Sequence, residues 1–271
     1  MNATTTIAGI IGDPVRHSRS PAIHNAAFAA TGLDWVFGAF EIPRGGAAGA
    51  LDAMRALGLG GLSVTMPHKH DAAAACDELT PMARALEAVN TVIPQSDGRL
   101  LGDSTDGEGL LRAVRDHDVD PGSGSALVLG AGGAARAVAL ALAEAGAAVT
   151  VAARRVDAAE SAASLHAGIA AARIADCDAG AFDLVINATP LGMNGEAGAI
   201  DAMRLNPSQF LVDTVYHPLE TPLLAAARAR GIPCTNGLGM LVHQAALAFE
   251  RWTGVAAPLD VMRSAAEVAP A

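Results

Sequence analysis

The segment that most restricts the fold runs from residue 126 to 153 and reads ALVLGAGGAARAVALALAEAGAAVTVAA. A short β-branched and leucine-rich run is followed by a glycine-rich turn, a longer alanine-rich run and a second β-branched run. The segment is long and apolar enough to resemble a membrane span, but Arg136 and Glu144 interrupt it. It therefore predicts a buried strand, a tight turn, a helix and a second strand instead of a transmembrane helix.

The turn in this segment places Gly130, Gly132 and Ala135 in a G-x-G-x-x-A arrangement. The first glycine permits the tight turn, and the second lets the backbone approach a pyrophosphate. The small third residue lets helix and strand pack closely, while the helix N-terminus faces the phosphates. Between a strand and a helix, this pattern favours a dinucleotide site over an ordinary strand-to-helix turn.

The end of the next strand reads VTVAARRVD and indicates which dinucleotide binds. An NAD site usually has an acidic residue here for the ribose 2′-hydroxyl, whereas this segment has no acid before Arg154 and Arg155. Two guanidinium groups suit a 2′-phosphate, so we expect NADP(H). The alternative is two solvated arginines, although basic residues oppose the dipole at a helix N-terminus.

Strands and helices alternate along most of the chain, which predicts an α/β protein with two domains. The first domain, residues 1–105, is expected to bind the substrate on a mainly parallel sheet. Residues 106–236 show a Rossmann-like succession of strands and helices and form the expected NADP-binding domain. The last two helices, in 237–271, are expected to return to the first domain.

Composition excludes several classes of function. The net charge is −10 and no basic stripe is present, so nucleic acid is not an expected partner. The three cysteines, Cys76, Cys177 and Cys234, are far apart, which favours reduced thiols in a cytoplasmic protein over a disulfide framework or a zinc site. No basic segment followed by a long apolar run starts the chain, so we expect no signal peptide, and we expect no membrane partner. No carboxylate or cysteine completes a ligand set at a known spacing with the histidines of residues 17–24 and 68–70, so we expect no bound metal.

Four short segments concentrate polar residues at expected strand ends: HSRSP (17–21), VTMPHK (64–69), VNT (89–91) and STDG (104–107). In open α/β sheets, ligands bind outside the carboxyl ends of the strands, so these segments predict a substrate site. Structural alternatives remain for several of them. Ser20 before Pro21 is a good helix N-cap, whereas Ser18 has no evident structural role. Asp106 is also a candidate cap for the helix that follows it.

Lys69 is the only lysine in a chain whose remaining basic residues are arginines. An ammonium group can lose its proton at a suitable site, which a guanidinium effectively cannot. The presence of a lysine at this one position favours a role in proton transfer, with Asp106 as the candidate carboxylate partner. The alternative is that a single lysine occurs here by chance.

The motifs HSRSPAIHN, LSVTMPHK, AVNTV, GDSTDGEG, LGAGGAARA, NATPLGM, DTVYHPLETPLL and GLGMLVHQAALAF occur in this order and together resemble the shikimate dehydrogenase family. The resemblance covers nearly the whole chain. It implies a substrate domain, a Rossmann NADP domain and C-terminal helices that rejoin the substrate domain. The expected reaction is the NADPH-dependent reduction of 3-dehydroshikimate to shikimate in aromatic amino acid biosynthesis, by a monomer or homodimer.

The resemblance also implies roles for individual residues. Lys69 and Asp106 match the catalytic pair. The substrate-binding residues that it implies are Ser18, Ser20, Thr65, Lys69, Asn90, Asp106, Tyr216 and Gln244. The cofactor-binding residues that it implies are Gly130, Ala131, Gly132, Gly133, Ala134, Ala135, Arg154, Arg155, Thr189, Met193 and Gly237.

The chain departs from the family pattern at three places. Ser104 stands where the family usually has Asn, and Glu87 stands where it has Gly. Ala153, Arg154 and Arg155 replace an Asn-Arg-Thr sequence, which retains the central guanidinium but removes a polar neighbour. Two other functions remain open at this stage: a quinate or aminoshikimate dehydrogenase, and a non-catalytic NADP(H)-binding regulator on the same fold. Both Lys69 and Asp106 argue against the regulator, which has no need of a titratable pair.

Overall fold

The computed structural model describes residues 2–268 of the chain. It divides into two compact units: one comprises the chain up to Thr105 together with the chain from Val242 onward, and the other comprises Asp106–Leu241. Each unit contains one six-stranded sheet. The predicted α/β class is confirmed.

The first unit contains six strands and four short helices before the chain leaves it. In chain order they are β1 Thr6–Gly12, α1 Ser20–Thr31, β2 Trp35–Glu41, α2 Ala47–Leu57, β3 Gly61–Val64, α3 Lys69–Ala75, β4 Glu78–Leu79, α4 Pro81–Leu86, β5 Thr91–Pro94 and β6 Leu100–Asp103. Gly32 and Gly58 directly follow helices α1 and α2, and their φ angles of 69° and 66° give each helix a left-handed C-terminal cap.

The sheet of the first unit has the order β2-β1-β3-β5-β6-β4. Strands β1, β2 and β3 are parallel neighbours, while β5 runs antiparallel to both β3 and β6. The carboxyl ends of β1, β3 and β6 therefore lie at one edge of the sheet, together with the amino end of β5.

The C-terminal segment of the first unit is attached to this sheet by specific polar contacts. The indole Nε1 of Trp252 donates to the Val92 carbonyl at 3.0 Å. Arg251 forms an ion pair of 2.6 Å with the buried Asp103 carboxylate, whose other oxygen accepts a hydrogen bond of 2.6 Å from Thr80. These contacts pair a buried charge that would otherwise be costly.

The second unit begins with α5 Asp106–Arg115 and alternates strands with helices. The remaining elements are β7 Ser125–Leu129, α6 Gly133–Ala145, β8 Ala148–Ala153, α7 Val156–Ala163, β9 Ile169–Arg173, β10 Leu184–Asn187, β11 Phe210–Asp213, α8 Pro222–Ala229 and β12 Cys234–Thr235. Helix α9, Leu238–Thr253, leaves this unit and is followed by α10, Leu259–Val268.

All six strands of the second sheet are parallel, in the order β12-β11-β10-β7-β8-β9. Numbered within the unit, this is 3-2-1-4-5-6 read from β9, the order of dinucleotide-binding folds. Strands β10 and β11 are buried along their length and β7 is buried after its first residue, as expected for a parallel sheet covered on both faces.

The second unit extends to Leu241, five residues beyond the end predicted from the sequence. The start of α9 is packed against this unit. A Cβ at Gly237 would lie 2.0 Å from the Thr214 carbonyl oxygen, and one at Gly239 would lie 3.1 Å from Ala113 Cβ. Among the residues that the structure describes, no helix combines the length and apolarity needed to cross a membrane.

Candidate active site

The polar segments of the first unit leave its sheet at the same edge. The Thr65 N–H donates to the Ile11 carbonyl at 2.9 Å, which joins the ends of β3 and β1. The Val64 N–H donates to the Asn90 carbonyl at 2.8 Å, and the Asn90 N–H donates to the Asp103 carbonyl at 3.0 Å. Three of the four segments predicted from the sequence, those around Thr65, Asn90 and Ser104, are thus connected by backbone hydrogen bonds.

Asn90 is 3% exposed and lies at the centre of this edge. Its Nδ2 donates to Thr105 Oγ1 at 2.9 Å, and its Oδ1 accepts from the Thr105 N–H at 2.9 Å. The Thr105 hydroxyl also lies 3.2 Å from the Gln244 carbonyl oxygen, its acceptor on α9. The structure thereby brings together two predicted substrate residues, Asn90 and Gln244, through Thr105, to which sequence reasoning gave no role.

Lys69 is the first residue of α3 and is half-buried. Its carbonyl accepts a hydrogen bond of 3.0 Å from the Val89 N–H, so its backbone is fixed beside the segment that carries Asn90. The preceding His68 is fully buried, and its Nε2 lies 3.1 Å from the Ile42 carbonyl. Because a carbonyl only accepts hydrogen bonds, this contact requires the proton on Nε2. The turn that presents Lys69 is therefore anchored on both sides.

Ser18 and Ser20 lie between β1 and α1. The sequence-based interpretation of Ser20 as an N-cap is wrong, because Arg19 occupies the cap position and Ser20 is already helical. The absence of a structural role for Ser18 is also wrong, because its Oγ accepts a hydrogen bond of 3.2 Å from the Ser20 N–H. A serine hydroxyl suits this position because it can satisfy a backbone donor just before the first helical turn.

Asp106 and Tyr216 belong to the second unit. Asp106 begins α5, is 8% exposed and directly follows Thr105 in the chain. Tyr216 is half-buried in the segment that follows β11. The pairing of Lys69 with Asp106 stays a prediction.

A groove with a volume of about 680 Å³ opens at the carboxyl edge of the second sheet. Its lining includes the glycine-rich turn, the end of β8 and the segment after β10. Gly130 has a φ of 111°, and a Cβ there would lie 3.0 Å from the Ala188 carbonyl oxygen. Gly132 and Gly133 are exposed, and a Cβ at either would meet no atom within 4 Å. Their bare backbone is thus open to a ligand at the N-terminus of α6, whereas Ala135 is fully buried against the unit.

Arg154 and Arg155 follow the last residue of β8 and both line this groove. Both side chains are exposed, and Arg155 makes a long ion pair of 3.8 Å with Asp157. Their guanidinium groups supply positive charge in a chain whose net charge is −10. The groove can therefore attract a phosphate that the rest of the protein would repel.

Thr189, another predicted cofactor residue, lies in the groove lining and is held from behind by a buried network. Its hydroxyl donates to Asn187 Oδ1 at 2.6 Å, and Asn187 Nδ2 donates to Asp213 Oδ1 at 2.9 Å. Asp213 Oδ2 accepts from the Thr221 hydroxyl at 2.6 Å. Burial raises the pKa of the fully buried Asp213 carboxyl, against the opposing effect of these donors. Sequence reasoning missed Asn187 and Asp213 as supports, although both lie in motifs that it singled out.

Two other predicted cofactor residues have different surroundings. Met193 is 46% exposed, on the segment that continues beyond the groove-lining Leu191. Gly237 is buried, and its close approach to the Thr214 backbone accounts for a glycine there without a ligand. Within residues 2–268, no group of three or more His, Cys, Asp or Glu side chains is placed to hold a metal ion.

Two family models match the chain. The substrate-binding domain of shikimate dehydrogenase matches residues 10–92, and the C-terminal domain of shikimate 5′-dehydrogenase matches residues 237–267. The chain is 46% identical to the shikimate dehydrogenase (NADP⁺) of Symbiobacterium thermophilum, over 96% of its own length and 93% of that protein.

Solved structures show the same relationship. The structure of shikimate 5-dehydrogenase from Thermus thermophilus in complex with NADP(H) and shikimate superposes with a TM-score of 0.91. It is 38% identical and covers 97% of this chain and 98% of its own. Quinate dehydrogenase from Corynebacterium glutamicum in complex with NAD has a TM-score of 0.89 at 32% identity, with 96% and 98% of the two chains covered.

Proposed function

Because the chain belongs to the shikimate dehydrogenase family, we propose that it catalyses the reversible NADPH-dependent reduction of 3-dehydroshikimate to shikimate. The observation that carries the proposal is the near-full-length identity with a curated shikimate dehydrogenase (NADP⁺). The geometry supports it, because one unit carries a groove suited to a dinucleotide and the other carries a polar edge suited to a hydroxylated acid. The pathway that it serves is the synthesis of chorismate and the aromatic amino acids.

We assign the substrate to the carboxyl edge of the first sheet. The hydroxyl groups of Ser18 and Ser20 bind its carboxylate, since hydroxyls can donate to a carboxylate at low steric cost. In this proposal the ring hydroxyls bind to Thr65, Lys69, Asn90, Asp106 and Gln244, and Tyr216 also contacts the substrate. The pre-existing hydrogen bonds of Asn90 hold its amide in one orientation before substrate arrives.

The residues at the groove fit NADP(H). Gly132 and Gly133 leave room for the pyrophosphate at the N-terminus of α6, and Arg154 with Arg155 suit the 2′-phosphate. When bound, NADPH supplies the hydride for the carbonyl carbon of 3-dehydroshikimate.

Lys69 and Asp106 perform the proton transfer in this proposal. The ring carbonyl oxygen gains negative charge during reduction, and the Lys69 ammonium donates a hydrogen bond and then a proton to it. In the reverse direction the neutral amine accepts the hydroxyl proton of shikimate. Asp106 serves as the carboxylate partner of Lys69 in this proton transfer, the role that the sequence predicts for it.

We further propose that the protein functions in the cytoplasm as a monomer or homodimer, with its small-molecule substrate as ligand. The three cysteines all carry free thiols, which suits a reducing compartment.

The test follows the absorbance of the reduced nicotinamide while purified protein is offered shikimate or quinate with either NADP⁺ or NAD⁺. We expect rapid reduction of NADP⁺ with shikimate and much slower reduction in the other three combinations. A higher kcat/KM for quinate than for shikimate would replace the proposed substrate. Binding of NADP⁺ without oxidation of either acid would favour a regulator.

A further inference from the structure

Arg173 lies beside the proposed 2′-phosphate site, although no sequence motif points to it. It is the last residue of β9 and is paired with Ala153, the last residue of β8. Neighbouring parallel strands are about 4.8 Å apart, and their carboxyl ends reach the same edge. Arg173, at the end of β9, is therefore next to the end of the neighbouring strand β8, where Arg154 follows Ala153.

Arg154 and Arg173 also line one cavity of about 820 Å³ in the second unit. Arg154 and Ile174 line both this cavity and the cofactor groove, so the two spaces share a wall. The cavity extends the groove beyond the end of β8, on the side where a Rossmann fold places the adenosine ribose. A phosphate on that ribose would meet both guanidinium groups.

The lining of the cavity carries more positive than negative side chains: it includes Arg154, Arg173 and Arg204 but only one carboxylate, that of Asp201. Arg204 donates to the Cys177 carbonyl, and Asp201 accepts a hydrogen bond of 2.8 Å from the Met203 N–H. Within the described part of the chain, Arg154 and Arg173 form no ion pair with a carboxylate, in a protein with ten more acidic than basic residues. Two like charges on adjacent strand ends repel each other, and a bound dianionic phosphate would attract both guanidinium groups and offset that repulsion.

We infer that Arg173 is a specificity-determining residue that binds the 2′-phosphate of NADP(H) together with Arg154. This inference rests on the proposed function, because it names a further residue of the same cofactor site. The preference for NADP(H) then depends on arginines at the ends of both β8 and β9, and not on those at the end of β8 alone.

The experiment measures dinucleotide binding by calorimetry in the absence of substrate. The variants are Arg173→Gln, Arg173→Lys and Arg154→Gln, and the control is Arg44→Gln, which removes an exposed arginine in the other unit. The ligands are NADP⁺ and NAD⁺, with 2′,5′-ADP and 5′-AMP as fragments that differ only in the 2′-phosphate. Circular dichroism and thermal unfolding check that each variant folds.

We expect Arg173→Gln to weaken binding of NADP⁺ and 2′,5′-ADP roughly tenfold, the loss of one charge-assisted contact, while NAD⁺ and 5′-AMP change less than about twofold. Arg173→Lys should recover part of the loss, and Arg44→Gln should match the wild type. Unchanged NADP⁺ affinity in Arg173→Gln, or an equal loss of NAD⁺ affinity, would overturn the inference. Arg173 would then be a solvated surface arginine without a role in cofactor selection. Wild-type protein that binds neither dinucleotide would instead refute the proposed function, and this inference with it.

Discussion

Asn90 and Thr105 are joined by two hydrogen bonds of 2.9 Å, one from Asn90 Nδ2 to Thr105 Oγ1 and one from the Thr105 N–H to Asn90 Oδ1. Both residues are nearly inaccessible, at 3% and 1% exposure. The pair fixes the end of the segment that follows β6, and the next residue is Asp106. Asp106, the candidate catalytic carboxylate, thus directly follows a residue whose backbone N–H and side chain both bond to a predicted substrate residue.

Replacing Thr105 tests this contact. Thr105→Val keeps the side-chain shape but removes the acceptor for Asn90 Nδ2, and we expect a loss of about 1–3 kcal/mol in the free energy of unfolding. The KM for shikimate should rise while the KM for NADP⁺ stays unchanged, because Asn90 loses its fixed orientation. Urea denaturation and steady-state kinetics measure the two effects.

The matched control is Thr31→Val. The Thr31 hydroxyl bonds to the Ala27 carbonyl within α1 at 2.8 Å and is not fully buried, so its loss should have little effect on either quantity. Equal stability and an equal KM for shikimate in Thr105→Val and Thr31→Val would remove the proposed role of the pair.

Lys69 is predicted to transfer the proton, and its replacement should slow chemistry without affecting the cofactor. Lys69→Ala should lower kcat by roughly 10²–10⁴-fold, the usual contribution of a positioned acid–base group. Lys69→Arg should remain impaired, because a guanidinium keeps the charge but does not release its proton at neutral pH. NADPH affinity, measured by fluorescence, should stay at the wild-type value in both variants. Recovery of most activity in Lys69→Arg would indicate that charge alone is required.

In the glycine-rich turn, one substitution should weaken NADP⁺ binding without lowering the free energy of unfolding. Gly132→Ala should leave the free energy of unfolding nearly unchanged, because the new Cβ meets no atom within 4 Å and the residue has an ordinary φ of −77°. Affinity for NADP⁺ should nevertheless fall, since the methyl group projects where the pyrophosphate approaches. Thermal unfolding and calorimetric titration test the two parts.

Gly130→Ala is the contrasting variant. Its φ of 111° and its distance of 3.0 Å to the Ala188 carbonyl oxygen make any Cβ strained, so this variant should lose stability as well as binding. Wild-type NADP⁺ affinity in Gly132→Ala would argue against a pyrophosphate at this turn.

His24 should make the protein sensitive to acid. Both of its ring nitrogens are buried, and neither has a hydrogen-bond partner among residues 2–268. The ring is stacked on Phe37 with centroids 4.4 Å apart. Burial lowers the pKa of His24 from its ordinary 6.5 to about 3. Between these two pH values His24 is protonated in the unfolded chain but stays neutral in the folded protein. The free energy of unfolding should therefore decrease as pH falls from about 6.5 to about 3.

His24→Leu tests this prediction, because it removes the titrating group while keeping an apolar side chain. The free energy of unfolding, measured by urea denaturation across this pH range, should depend less steeply on pH in the variant than in the wild type. His117→Leu, which removes an exposed histidine, is the control. Parallel curves for His24→Leu and the wild type would contradict the assignment.

The Rossmann half of the fold was predictable because its signals are local. Strand β7, the glycine turn and helix α6 follow one another, and each carries the periodicity or turn chemistry of its own structure. Strand β9 was not predicted, because its sequence IAAAR is rich in alanine, which favours helices over strands. Its pairing with β8 overrides that local preference. Arg173, at its end, was missed for the same reason.

The sequence by itself determined the α/β class, the dinucleotide turn and the choice of Lys69, Asp106 and Asn90 as candidates, since residue type and spacing carry that information. Only the tertiary structure decided which groups support them: Thr105 beside Asn90, Asp213 behind Asn187, and Arg173 beside the end of β8. These contacts join residues up to 26 positions apart through strand register and burial. No pattern along the chain encodes such a distance, because it is set by which strands become neighbours when the apolar faces leave water.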